Sequence, residues 1–261
     1  RYFPVVDPKE CGEPADLVII AVKGYGLDQA IEDIRNQVGE NTVILSVLNG
    51  VDSEQRVIEA YGEDKVLYSY MRVSVVMKDG CTSYDPALGN IHFGEKLNEE
   101  GAYTDRVLAV KEVFDRCGIT NIIDPDMIKG IWFKFMCNVG ENLTCALLGI
   151  PFGVFRTSDH ANAIRRKAME EVVLIAQELG VDLGKEDMDR QESTLMALPF
   201  QNKPSTLQDL EAGKRTEIDM FAGTVIEYGR KLGIATPVNE MFYHAIHVLE
   251  EKCGGSFQAA D

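Results

Sequence analysis

Positive charge is scarce in this sequence. Only 26 Lys and Arg stand against 42 Asp and Glu, a formal net charge of −16. The acidic excess runs through both halves, so no basic face is available to neutralise a phosphate backbone, and nucleic acid is not an expected partner. A small anionic ligand stays open, because a few placed lysines are enough to bind one. Long hydrophobic runs are missing too. Nothing approaches the roughly 20 apolar residues of a membrane span, and no signal peptide is visible. No membrane partner is expected.

Cysteine pairs are absent in the same sense. Cys11, Cys81, Cys117, Cys137, Cys145 and Cys253 form no CxxC pair and no Cys/His cluster with zinc spacing. They read as small buried hydrophobes of a reducing, cytoplasmic setting, and no metal site is expected. His244 and His247 lie three apart on a predicted helix, with no other ligand type beside them. They read as surface or core histidines.

Phosphate-binding loops are absent as well. Gly24-Tyr25-Gly26-Leu27-Asp28-Gln29 follows a predicted strand and opens a helix, but Gln29 occupies the third glycine position of a dinucleotide fingerprint. No acidic residue closes the next strand, which ends Val47-Leu48-Asn49-Gly50. An ordinary strand-to-helix turn is the reading at Gly24–Gln29. There is no Walker sequence and no GxSxG elbow.

What the chain does have is alternation. Residues 15–22 and 42–47 are short apolar runs rich in β-branched residues, the pattern of strands buried on both faces of a parallel sheet. Helical spacing covers 27–38 and 53–60, with Ser53 as an N-cap. Residues 65–77 are β-rich. Residues 80–94, with Asp85-Pro86 and Gly89-Asn90, read as a hairpin. A helix over 104–116 closes at Gly118, and 119–123 is another strand. After Asp124-Pro125 the pattern becomes helical, over 127–148, 158–179, 205–212, 216–232 and 237–252. Gly180 and Gly233 follow helical patterns, and Thr236-Pro237 starts one. The expected fold is an α/β, doubly wound, largely parallel sheet domain over 1–125, followed by an all-α domain over 126–261.

One helix carries an unusual stripe. Lys134, Asn138 and Asn142 stand at i, i+4 and i+8 in a segment otherwise made of Ile131, Trp132, Phe133, Phe135, Met136, Val139 and Leu143. On an α-helix that spacing drifts only about 40° per step, so the three share a face. A solvated stripe normally uses Glu, Lys and Gln. Asn costs roughly 0.5–0.7 kcal/mol against Ala in a helix, so two of them on an apolar helix point to the lining of a polar cavity. A lysine held against Trp and Phe is partly desolvated, which makes it a better proton donor near neutral pH. Further on, Ser205-Thr206-Leu207-Gln208 fits an S-x-x-Q capping box, and a capped helix start is also an anion site. Glu217 and Asp219 fit first-turn acids matched to a helix dipole.

Ala21-Val22-Lys23, Leu48-Asn49-Gly50, Lys134-x3-Asn138-x3-Asn142, Ser205-x-Leu207-Gln208-Asp209 and Thr216-Glu217-Ile218-Asp219 occur in that order. Together they resemble the ketopantoate reductase (2-dehydropantoate 2-reductase) family over nearly the whole chain. The resemblance implies a Rossmann-type NADP-binding domain, a helical substrate and dimerisation domain, and an active site in the cleft between. It implies NADPH-dependent reduction of 2-dehydropantoate to pantoate in pantothenate biosynthesis. Lys134 matches the catalytic lysine. Lys134, Asn138, Asn142 and Ser205 match substrate-binding positions, and Lys23, Asn49 and Glu217 match cofactor-side positions. NADP(H) is the implied cofactor, a 2-oxo acid the implied substrate, and a homodimer is open to it.

Three departures accompany the match. Only 22 residues precede Lys23, where the family's Gly-rich loop, first helix and second strand belong. A βαβ unit takes roughly 30 or more residues. The Rossmann-like domain is therefore expected to be N-terminally incomplete and to bind NADPH poorly. Phe152 stands where many members carry a substrate-contacting Asn, and Ala222 lies where Asn is common. A related 2-oxo or hydroxy acid dehydrogenase thus remains an alternative, as does a chain serving only as a binding or oligomerisation module.

Overall fold

A computed structural model of the chain describes residues 4–8, 12–73, 75–78, 81–84 and 89–255. They divide into two units, Arg1–Ile131 and Trp132–Asp261. The division falls inside a helix, later in the chain than the boundary near 125 expected from composition.

In the first unit, strands β1 (Leu17–Ile20), β2 (Val43–Ser46) and β3 (Val66–Arg72) run parallel, with Ile20 opposite Ser46 and Leu45 opposite Leu67. Strand β6 (Asn90–Gly94) joins β3 antiparallel, and β7 (Asn121–Ile122) joins β6 in parallel, giving the order β1-β2-β3-β6-β7. The sheet is parallel-dominant, as expected. The hairpin read over 80–94 is corrected. Strands β4 (Val75–Lys78) and β5 (Cys81–Tyr84) pair with each other as a separate ribbon, while β6 pairs with β3. Asp85-Pro86 lies outside the described residues, as does Cys11.

Alternating side chains of β3 serve two cores. Leu67 joins Val43, Leu45 and Phe93 under Val107, Val110 and Phe114 of α3 (Asp105–Cys117). Phe93 and Phe114 meet edge to face at 5.3 Å. Tyr68 and Tyr70 face the other way, against Ile58 of α2 (Ser53–Tyr61) and against Met127 and Ile131 of α4 (Met127–Cys137). Tyr70 also stacks on His92 at 4.3 Å, and both bind one oxygen of Asp124 at 2.8 Å. Gly118 ends α3 at φ 67°, the left-handed stop the sequence marked. Helix α1 (Leu27–Asp33) is shorter than the 27–38 pattern and finishes in a 3-10 turn over Ile34–Gln37.

The second unit is helical: α5 (Leu143–Leu148), α6 (Asp159–Glu178), α7 (Lys185–Ala197), α8 (Ser205–Glu211), α9 (Thr224–Leu232) and α10 (Pro237–Cys253). Helix α6 buries Ala168, Met169, Val172, Ile175 and Ala176 at its centre. Ser158 caps it, accepting from the Ala161 amide at 3.2 Å. Thr236 and Pro237 start α10 as read from the sequence. Helix α7 is not marked by hydrophobic periodicity, because Met188 and Leu195 are the apolar residues it buries, alongside Asp187 and Gln191.

Two corrections concern helix continuity. The 127–148 pattern is interrupted by a π turn over Asn138–Asn142, and 216–232 begins with a second π turn over Asp219–Gly223. Each widens the ladder by one residue, as π turns do, often where function is placed. The cysteines are corrected as well. Cys137 and Cys145 are buried, but Cys81, Cys117 and Cys253 are exposed. Burial, with the Glu141 carboxylate nearby, pushes the Cys145 thiol far up. Among the described residues no helix is long and apolar enough to cross a membrane.

Candidate active site

Lys134 is the one residue from 131 to 137 that is not buried. Trp132, Phe133 and Phe135, at 6%, 6% and 1% exposure, flank it. This is the half-desolvated setting expected for it. Asn138 opens the π turn and Asn142 closes it, and the Asn142 amide donates to Asn138 Oδ1 at 3.4 Å. The last step of the stripe, from Asn138 to Asn142, runs through a π turn and not a regular α-helix. The local reason is composition. Asn138-Val139-Gly140-Glu141-Asn142 puts three poor helix formers in five residues. Gly140 also lets α6 approach, since a Cβ there would sit 2.5 Å from Met169 Cγ and 3.0 Å from the Arg165 carbonyl.

Beneath the π turn lies a polar cluster that sequence reasoning missed. Glu141 is buried and accepts from Gln191 Nε2 at 3.0 and 3.1 Å. The fully buried Arg165 guanidinium stands 3.5 Å from Glu141 and 3.5 Å from Glu192, and its Nε donates to Asn162 at 3.2 Å. A lone carboxylate on so apolar a helix was the available clue.

Ser205 is the exposed first residue of α8, which lies against the π turn. The capping box is corrected. Pro204 takes the N-cap position, no side chain caps the helix, and Gln208 donates instead to the Lys203 carbonyl at 2.8 Å. Proline at that position turns Ser205 into the first helical residue, where its hydroxyl no longer reaches the free amides.

Glu217 is 6% exposed and sits just before the second π turn, which lies against the first. Its carbonyl accepts from Phe221 at 3.0 Å. Asp219 opens that turn. Burial alone would raise its carboxyl pKa, but Arg215, Tyr243 and His247 outweigh burial and hold it below the usual range. Ala222 is fully buried in the same turn. Phe152, half-buried in the turn Phe152–Arg156, leans on Cys145, Phe155, Ala161 and Leu195. The second unit thus gathers Lys134, Asn138, Asn142, Ser205 and Glu217 on three touching segments.

The first unit holds the other two. Lys23 follows β1, and its carbonyl accepts from Gly26 at 2.8 Å in a 3-10 turn, the ordinary turn expected there. Asn49 follows β2, with Gly50 at φ 95° turning the chain. The Val47 amide donates to the Ile20 carbonyl at 3.0 Å, so the two half-buried polar residues leave neighbouring parallel strands.

Below the Asn49 turn is a buried carboxyl. Ser53 is not an N-cap, since Asp52 holds that place. Its hydroxyl points inward, accepts from Ser46 Oγ at 2.8 Å and donates to Glu54 at 3.0 Å, and the Ser69 amide donates to Glu54 at 3.4 Å. Burial drives the Glu54 pKa from 4.5 to about 7. A raised carboxyl pKa favours the folded state fully below the unfolded value and loses that advantage as pH rises toward the folded one. Glu54→Gln should therefore gain on the wild type by up to about 3 kcal/mol between pH 4.5 and 7.5. Urea midpoints at pH 5 and pH 8 check this, and a variant-to-wild-type gap independent of pH would contradict it.

The family model described as "Ketopantoate reductase PanE/ApbA" matches residues 2–98, and "Ketopantoate reductase PanE/ApbA C terminal" matches 126–250. The chain belongs to the ketopantoate reductase family. That places it among oxidoreductases. It is 27% identical over 251 residues to the 2-dehydropantoate 2-reductase of Streptococcus pyogenes serotype M3, covering 95% of this chain and 80% of that one. The 2-dehydropantoate 2-reductase structure from Geobacter metallireducens aligns with a TM-score of 0.80 and 26% identity, covering 90% of this chain and 78% of that one. A D-mandelate dehydrogenase structure with NADH and anilino(oxo)acetate aligns with a TM-score of 0.81 at 20% identity, covering 95% and 79%. That last likeness is one of fold. The C-terminal family match contains Lys134, both asparagines, Ser205 and Glu217.

Proposed function

We propose that this protein reduces 2-dehydropantoate to pantoate with NADPH, as a cytoplasmic step of pantothenate biosynthesis. The observation that carries the reading is the half-buried Lys134 set one turn before the Asn138–Asn142 pair, inside the segment that matches the family's C-terminal model.

The chemistry assigns each residue a task. NADPH would supply the hydride for the carbonyl carbon, with Lys23, Asn49 and Glu217 as the residues that would hold it. Lys134 Nζ holds a proton at the carbonyl oxygen and transfers it as negative charge grows there, the point where a positioned ammonium helps most. Asn138, Asn142 and the Ser205 hydroxyl hold the hydroxyl and carboxylate of the substrate. Lys23 and Asn49 suit the anionic and amide parts of the dinucleotide, because they leave the carboxyl ends of two adjacent parallel strands, where open α/β sheets bind ligands. Glu217 is read as a cofactor contact from its match to the family pattern. Two copies paired through the helical unit complete the reading.

Phe152 favours a second reading of the same site. Phe152 stands where many family members carry an Asn that contacts substrate, and its apolar ring leaves room for another 2-oxo acid as the substrate. NADPH oxidation is followed with 2-dehydropantoate and with an aromatic 2-oxo acid. Turnover of the first is the expected result, preference for the second moves the assignment, and turnover of neither leaves a binding module.

A further inference from the structure

The segment that carries Glu217 is held to α10 on both sides of that residue. On the N-terminal side, Glu250 Oε1 accepts from the Thr216 amide and from the Thr216 hydroxyl, each at 2.7 Å. The hydroxyl also accepts from the Ile218 amide at 3.2 Å, which folds the backbone around Glu217. On the C-terminal side, Asp219 Oδ1 accepts from the Tyr243 hydroxyl at 3.1 Å, and Arg215 donates to Oδ2 at 3.1 Å. One ring joins the two sides. His247 places Nδ1 2.9 Å from Glu250 Oε2 and Nε2 3.3 Å from Asp219 Oδ1. Tyr243 braces that ring edge to face at 4.6 Å.

Burial shows which end is rigid. Thr216 and Glu217 are 1% and 6% exposed, and the Glu250 side chain is 18% exposed. The Thr216 amide precedes the π turn and so has no helical partner. Without Glu250 it would be a buried donor stripped of the acceptor it has here, a state that folding disfavours. The Thr216 backbone then has reason to rotate, and Glu217 is the next residue. Asp219 is more exposed and shares its load among three partners, so its end of the clamp is the softer one.

We propose that Glu250 is a positioning residue for Glu217, acting through Thr216 with His247 as its brace. It touches no ligand. Its effect reaches the site through the backbone of one peptide unit. The inference rests on the reading of Glu217 as a cofactor contact.

The test uses the whole chain, with NADPH binding titrated by its fluorescence and amide hydrogen exchange followed over 216–219. Glu217→Gln is expected to weaken NADPH about tenfold. Glu250→Ala should weaken it by a similar factor and speed exchange at the Thr216 amide, while exchange within α6 stays at the wild-type rate. Glu250→Gln keeps an acceptor oxygen within reach of both Thr216 groups and should retain affinity within about twofold. If Glu217→Gln weakens NADPH and Glu250→Ala does not, the positioning role is overturned and the cofactor reading stands. If exchange rises in α6 as well, Glu250 supports the whole unit and the specific role is overturned. If Glu217→Gln binds NADPH as tightly as the wild type, the cofactor reading fails and the positioning role goes with it; unchanged exchange at the Thr216 amide in Glu250→Ala overturns the positioning role whatever the affinity.

Discussion

On the proposed reading, Lys134→Ala is expected to lower ketone reduction by at least about a hundredfold, the usual scale for a lost general acid. The side chain is half-exposed at the edge of an apolar helix, so its removal opens no core cavity and the variant should melt close to the wild type. Loss of rate with an intact fold separates a chemical role from a structural one. The fall should appear in kcat as well as in kcat/KM, because charge on the carbonyl oxygen exists only in the transition state. Asn138 and Asn142 lie beside it but hold no transferable proton, so alanine at either should act mainly on KM. Stopped-flow measurement of the hydride step settles the matter, and a Lys134→Ala enzyme of near wild-type rate would remove Lys134 from the chemistry.

Glu141→Leu carries the largest expected cost in stability, about 3–5 kcal/mol, because it strands a charge. Arg165 is fully buried, 3.5 Å from Glu141, and keeps Asn162, the more exposed Glu192 and the Phe155 ring once that carboxylate is gone. The same substitution removes the acceptor of Gln191. Replacing both charges, as Glu141→Leu with Arg165→Met, should recover most of the loss, since a buried pair seldom outperforms a well-packed apolar one. Urea denaturation of both single variants and the double tests this. A double variant as unstable as Glu141→Leu would show that shape, not charge, is the cause.

The parts of this fold written in short-range pattern were readable in advance. Strands β1 and β2 announce themselves as β-branched apolar runs, and Gly118 and Thr236-Pro237 mark helix ends through backbone conformations that few residues adopt. The π turns were not readable, because periodicity takes an i, i+4 spacing as α-helix and cannot register one extra residue in the ladder. Gly140 and Gly223, inside helical patterns, were the local hint. The antiparallel β6 is a long-range choice of partner that alternation alone does not decide. Helix α7 has too few apolar residues to show a face. Ser205 and Ser53 have the residue type of caps, but Pro204 and Asp52 occupy the position, and the Ser53 hydroxyl turns inward to Ser46 and Glu54. At the candidate site, Lys134, Asn138 and Asn142 stood out because polar groups on an apolar helix need a reason. Glu250 did not, since a carboxylate near a helix end is ordinary until its partner, 34 residues earlier in the chain, is known.

The serine cage around Glu54 has an electrostatic side. In a molecule of net charge −16, any anion approaching the end of β2 meets a repulsive background. A carboxyl that titrates at about 7 is no permanent part of that background. Under mildly acidic conditions Glu54 is uncharged among the Ser53 hydroxyl and the Ser69 amide. The repulsion local to this strand end is then smaller than the residue count implies.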